Sequence, residues 1–435
     1  MDYYITKYDT DPPAGAGRAV LEDSIMQKGY PVTAGSKILE NFVSPLDATV
    51  VTRLETAGVC IPGKTKMEEF GICGLFEALG ETGDGSLPRC PNKTEDGSLS
   101  RSPDMIAAMT EDDTPSNSLS RFCGAVAAVA DGEADFALCN DYTGAVSREA
   151  AARGVCFLRP TYGTVSRFGL IPAVPSMDQI GVVCKTPAEG FRVLSIISGY
   201  DEKDGAILTP AAWQSALPHE GAIRLGIPAN VMALSLETAI LDGLPENFET
   251  AIFELKYFGV YTQVMQILCS AELSGNISRY DGVKFGYRAK DFSGIHELYT
   301  RSRTEAFGHD AKVAALLGAM VLSKENYSRF YDKAMRIRRL IKESLEFDKY
   351  DVIILPVCLY PSTTQPPGSP AMNGDYAYQH PDWQCNDGFE AAAHALPMLC
   401  GLPAITLPYR SGGVTLVADA GCEGILLTAL KAVGA

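Results

Sequence analysis

The chain has 435 residues, 46% of them hydrophobic and 21% charged, which suits one large α/β domain or two ordinary ones with a sizeable core. A formal net charge of −16 repels phosphate backbones, so direct nucleic-acid binding is not expected. No run approaches ~18 consecutive apolar residues, and the start Met1-Asp2-Tyr3-Tyr4 lacks the basic and apolar stretches of a signal peptide, so no membrane segment and a cytoplasmic location are expected. The 12 cysteines include no Cys-x-x-Cys pair, and the 5 histidines do not cluster with them. Reduced thiols, no metal site and no cofactor follow as expectations.

Residues 1–19 are polar and rich in Gly and Pro, and are read as a loose N-terminal segment before a single domain over 20–435. Ala48–Ala57 carries helical apolar spacing, and Gly58–Ile61 reads as a short strand after it. Residues 80–118 are a long polar stretch, read as loop with a short helix at Pro103–Met109. A small-residue helix is expected over 122–130, then a buried strand at Phe136–Cys139. Ile223–Ile227 reads as a strand opening a second α/β segment. Glu249–Tyr257 reads as a helix, and Tyr261–Leu268 fits either state. Asn326–Phe347 is the clearest long amphipathic helix, and Arg336-Ile337-Arg338-Arg339 within it reads as a solvated face. Tyr350–Pro356 follows as a buried strand. Helices alternating with strands argue for an α/β fold with a largely parallel or mixed sheet.

Several segments carry a resemblance. Residues 158–181 include Arg159-Pro160-Thr161-Tyr162-Gly163 and Ser176-Met177-Asp178-Gln179-Ile180-Gly181. Ala34–Val51, Gly63–Phe70, Ser278–Gly282, Gly286–Arg288, Tyr327–Leu355 and Gly401–Ile405 add further matches in order. Together they resemble the amidase-signature family, in the version found in the A subunit of the tRNA-dependent Asp/Glu amidotransferases. The resemblance implies an amidase-signature fold, a large mixed twisted sheet flanked by helices, here shortened at both ends. It also implies hydrolysis of carbon–nitrogen bonds, with ammonia released from glutamine, and partner subunits of the amidotransferase kind.

The family mechanism is a Ser–Ser–Lys relay. A buried neutral lysine takes a proton from a bridging serine, which activates the nucleophilic serine, while backbone N–H groups hold the oxyanion. By resemblance Lys64, in Gly63-Lys64-Thr65, takes the lysine role. Where the family has its bridging serine this chain has Arg121, and a slip of one residue would offer Ser120. Where the family reads D-T-G-G-S, the chain reads Asp141-Tyr142-Thr143-Gly144-Ala145, so Ala145 stands at the nucleophile position and Tyr142, Thr143 and Gly144 form the oxyanion turn. Glu149 replaces a proline. Three substrate-contacting positions fall on Met265, Ala314 and Ala391.

The sequence therefore points to a catalytically inactive homologue, with a structural or regulatory role in a complex or as a small-molecule binder. The alternative is an active amidase with a relocated nucleophile drawn from Thr143, Ser147, Ser120 or Cys139. Arg121 also carries two readings. Either it joins Lys64 in an anion pocket, or it pairs with Asp141 or Glu149 inside a disused cavity.

Overall fold

The computed structural model describes residues 3–8, 17–73, 75–76, 123–209, 222–231, 248–357, 387–409 and 412–432. Eleven strands form one mixed sheet: β1 (Tyr4–Lys7), β2 (Ala19–Glu22), β3 (Gly63–Thr65), β4 (Phe136–Asn140), β5 (Cys156–Arg159), β6 (Ile180–Cys184), β7 (Ile223–Pro228), β8 (Phe248–Phe253), β9 (Val352–Val357), β10 (Ala404–Tyr409) and β11 (Gly412–Ala418). Their order across the sheet is β1-β3-β2-β4-β6-β5-β10-β11-β9-β7-β8. Strand β2 runs parallel to both β3 and β4, and β9, β7 and β8 are mutually parallel at the other end. The strands between them are antiparallel.

Period-two alternation sorts the strand residues onto two faces. Leu21, Leu138, Ile354, Ile405 and Leu416 enter one buried cluster, covered by α1 (Thr49–Thr56), α4 (Pro187–Ile197) and α10 (Glu423–Ala432). Their neighbours point the other way. Val20, Ala137 and Cys139 meet α2 (Gly124–Ala130) and α3 (Ala145–Ala152). Ile353, Leu355 and Val417 meet α5 (Tyr261–Ile277), which packs with α7 (His309–Leu322), α8 (Tyr331–Glu343) and α9 (Asp387–Cys400); α6 (Ile295–Ala306) completes this side. With both faces covered, the central strands are buried and largely apolar, as the runs at Phe136–Cys139 and Val352–Leu355 suggested.

Four elements differ from the sequence expectation. Tyr4–Lys7, within the segment expected to be loose, forms β1 and pairs antiparallel with β3. Cys60 makes only an isolated bridge to Arg18, and the strand proper comes later, at Gly63–Thr65. Phe248–Phe253 is a strand rather than a helix, because parallel pairing with β7 outweighs a weak local helical pattern. The amphipathic helix is confined to Tyr331–Glu343, with turns leading into it. Its basic run is also divided. Arg336 and Arg339 are exposed and pair with Asp332 and Glu343, whereas Arg338 turns inward and donates to Leu399 O, Ser176 Oγ and Ser176 O. The helix expected at Pro103–Met109 lies outside the described residues.

Gly286 ties the segment before α6 to the helical turn Lys37–Leu39. Its φ is +79°, and a Cβ there would be driven into the carbonyl oxygen of Ile38, which accepts from Tyr287 N at 3.0 Å. Gly286→Ala combines left-handed strain with a backbone clash and is expected to destabilise the chain by roughly 3 kcal/mol. A urea midpoint within error of wild type would show that the Ile38–Tyr287 contact is not as tight as described.

Candidate functional site

Three consecutive strands in the sheet, β3, β2 and β4, share one direction, so their carboxyl ends open on the same edge. Open α/β sheets place ligands at such an edge. The chain leaving β4 makes the turn Asp141-Tyr142-Thr143-Gly144 and enters α3 at Ala145. Gly144 takes φ +79°, and a Cβ on it would lie 2.8 Å from His394 Cβ, so the turn tolerates no side chain there. The Asp141 carboxylate holds the turn, accepting from Gly144 N at 2.8 Å through Oδ1 and from Ser147 N at 3.0 Å through Oδ2. Tyr142 is buried and its hydroxyl donates to Phe70 O at 2.9 Å.

Ala145 lines a cavity of about 30 Å3 together with Glu22, Glu68, Asn140, Asp141, Thr143, Glu149, Cys73 and Cys123. Among the described residues this lining holds four carboxyl groups and no cation. Two N–H groups of the turn are already engaged, since Gly144 N donates to Asp141 and Ala145 N donates to Thr143 Oγ1 at 3.3 Å. Glu149 accepts from Cys123 N at 2.9 Å and from Arg153 Nε at 2.8 Å.

Lys64 is not among the residues lining this cavity. It is completely buried in β3, and its Nζ lies 3.1 Å from Asp23 Oδ1 and donates to Pro31 O at 2.9 Å. The other Asp23 oxygen accepts from Thr33 N at 2.8 Å and Thr33 Oγ1 at 2.5 Å. Burial pushes the ammonium pKa down, while Asp23 opposes that shift. The sequence expectation put Lys64 beside Ala145, yet the titratable group from this strand trio that reaches the cavity is Glu22. Both of its hydrogen bonds fall on Oε2, from Ser24 Oγ at 2.6 Å and Asn140 N at 3.0 Å. Burial raises its pKa to about 7, and Asp141 and Asp23 add to the rise. A carboxyl group closing the apolar run Ala19-Val20-Leu21 was the available sequence signal.

The remaining candidates separate. Thr143 lines the cavity. The Ser147 hydroxyl donates to Gly144 O at 3.0 Å and borders a different cavity behind the turn. Cys139 is fully buried, and hydrogen bonding with the Cys123 thiol, then burial, push its pKa well up, so it is a thiol. Met265 on α5 and Ala314 on α7 sit in the hydrophobic core. Ala391 lies on α9. Ser120 and Arg121 fall outside the described residues, and with them the question of which carboxylate Arg121 meets.

The sequence family described as Amidase matches residues 19–77 and 123–421. The A subunit of glutamyl-tRNA(Gln) amidotransferase from Lachnoclostridium phytofermentans is 35% identical over 415 residues, covering 92% of this chain and 76% of that protein. The protein of the same name from Lachnospira eligens is 32% identical over 446 residues, covering 97% and 84%. Among solved structures, the A subunit of glutamyl-tRNA(Gln) amidotransferase from Thermotoga maritima superposes with a TM-score of 0.67 at 22% identity, covering 99% of this chain and 86% of that one, a likeness of fold.

Glu22 makes the site pH-sensitive. Its folded pKa of about 7 lies above the ordinary 4.5, so the folded state keeps the proton longer. The stability contributed by neutral Glu22 is present below pH 4.5 and is lost as the pH rises to about 7. Relative to Glu22→Gln, the wild type is expected to lose on the order of 3 kcal/mol across that window. Parallel urea-unfolding curves for the two proteins would refute the assignment.

Proposed function

The chain belongs to the amidase-signature family and is similar to the A subunit of glutamyl-tRNA(Gln) amidotransferase, and from that premise we propose that it is a catalytically inactive homologue with a structural or regulatory role in a complex, or a small-molecule binder. The observation that carries this reading is Ala145. It stands at the head of α3 on the cavity wall, where a methyl group offers no nucleophile. Three further features support it. Two of the turn's N–H groups are engaged by Asp141 and Thr143 rather than free for an oxyanion. Lys64, the lysine assigned to the relay, is held by Asp23 and Pro31. Among the described residues the lining also holds no cation to pair with the carboxylate that a glutamine substrate would bring. Arg121 at the bridging position belongs to the same proposal, as a bulky cation where the relay requires a hydroxyl.

The partners proposed are other components of an amidotransferase-like assembly, by likeness to the named relatives. No helix among the described residues is long and apolar enough to cross a membrane. A cytoplasmic site of action is part of the proposal.

A second reading is favoured by one observation. Thr143 and Glu22 line the same cavity, and Glu22 keeps Oε1 outside its two hydrogen bonds. A carboxyl group with a pKa near neutrality is suited to serve as a general base for a threonine hydroxyl.

The purified protein, assayed with glutamine, asparagine and simple primary amides, is expected to show no turnover above background. Ala145→Ser alone is expected to leave it inactive, because a serine without its bridging partner and lysine lacks a proton path. Turnover in the wild type that disappears in both Thr143→Ala and Glu22→Gln would replace the inactive reading with the second one. Activity restored by Ala145→Ser would show that the rest of the relay is intact.

A further inference from the structure

The two consecutive helices α7 and α8 carry an outer surface that nothing described so far uses. On α7, Ala311, Ala314, Gly318 and Val321 are buried on the side packed against α5, where a Cβ on Gly318 would lie 2.1 Å from Ser270 O. The opposite side is open. Leu316 is 56% exposed and Met320, one turn further on, is 44% exposed, within a run from Val313 to Leu322 that has no charged residue. Further apolar groups are exposed beyond α7. Tyr327 stacks in the connecting turn at 5.2 Å from the Tyr331 ring, and Met335 and Leu340 lie open on α8. The charge of this unit is opposite to that of the chain. Residues 309–343 hold eight Lys and Arg against four Asp and Glu, a net +4 in a chain of net −16, so the remaining residues carry −20. Arg338 turns inward, but Lys324, Arg329, Lys333, Arg336, Arg339 and Lys342 are exposed. Of these six, only Arg336 and Arg339 have a carboxylate partner among the described residues, each in a solvated pair of small energetic value.

Exposed apolar side chains set among unpaired cations mark a contact surface for something acidic and partly apolar. The size of the occupant follows from the charge of the rest of the molecule. A bilayer or a nucleic acid extends far enough to meet the −20 of the remaining residues and is repelled by it. A second copy meeting this face across a two-fold axis would set cations against cations. A short acidic helix covers the unit alone, and screening over about 8 Å hides the distant carboxylates from it. Its apolar stripe would cover Leu316 and Met320 while its carboxylates meet Lys324, Lys333 and Lys342. We propose that the outer face of α7 and α8 is the docking surface for an acidic amphipathic helix of a partner protein. This rests on the complex-subunit part of the proposed function and gives that partner a chemistry. It holds whether or not the Ala145 cavity turns over an amide.

The test uses the full chain and two fluorescein-labelled helical peptides of the length of α7. Both carry leucines three and four positions apart, with glutamates between them in one and lysines in the other. Anisotropy titration is expected to show saturable binding of the glutamate peptide and none of the lysine peptide. Leu316→Glu and Lys333→Glu are each expected to weaken binding roughly ten-fold, as is a rise to about 0.5 M salt. Lys284→Glu, at an exposed cation outside the unit, should leave it unchanged. Both test positions are exposed and lie on different helices, so one variant remains informative if the other misfolds. Equal binding of the two peptides, or binding of neither, would overturn the proposal. So would a dimer in light scattering that Leu316→Glu splits, which assigns the face to a second copy. Co-sedimentation with phosphatidylserine vesicles that Lys333→Glu abolishes, without peptide binding, would assign it to a membrane. Amide turnover by the purified protein would sink the inactive reading and leave these binding outcomes untouched.

Discussion

The parallel alignment of β3, β2 and β4 is the constraint on which the rest of the site depends. Leu21 sits opposite Lys64 on one side and Leu138 on the other, so the three strands end level with one another. Residues far apart in sequence, Glu22, Glu68 and Asp141 to Ala145, are thereby delivered to one edge. Parallel strands cannot be joined by tight hairpins, so long connections separate these segments, and each returns its strand to the same end. The cavity is a consequence of this topology and needs no particular catalytic side chain to form.

Topology alone does not decide which side chain from a strand end reaches the cavity. Successive residues on a strand point to opposite faces. Lys64 lies level with Leu21, whose side chain belongs to the cluster covered by α1 and α4, and its ammonium group is fixed by Asp23 and Pro31. Glu22, one residue beyond Leu21, turns to the other side and meets Asn140 and the Ala145 turn. One register step between neighbouring strands therefore separates a lysine locked in a structural ion pair from a carboxyl group at the cavity. Breaking that pair by removing Asp23 would leave a buried charge uncompensated, the costly way to lose a salt bridge.

Much of the fold was legible in the sequence because its signals are local. The apolar run at Phe136–Cys139, the small-residue helix before it and the apolar strand ending at Pro356 follow from composition and period alone. The motif resemblance located the turn at Asp141–Ala145, and the cavity is found there. Phe248–Phe253 was not legible as a strand, because its pairing with β7 is a tertiary fact. The displacement of Lys64 from the cavity was equally hidden, since a motif match fixes sequence position and not the face toward which a side chain points. The pairing of His394 with the Gly144 turn was beyond reach for a related reason. The contact spans some 250 residues, and among the described residues the buried histidine has no neighbouring metal-ligand cluster to mark it.

The separation between scaffold and chemistry explains how such a chain can keep its architecture. The Asp141 carboxylate satisfies Gly144 N in the turn and Ser147 N in the first helical turn whether residue 145 carries a hydroxyl or a methyl. Gly144 is required by its left-handed φ and by the approach of His394, not by any reacting group. Arg159 braces the strand–turn junction through Asp141 O and Met177 O, again by backbone contact. Each of these constraints acts on stability alone. A methyl group at residue 145 therefore removes nothing that holds the turn in place, and under the proposed inactive reading the loop keeps its geometry around a position with no reactive group.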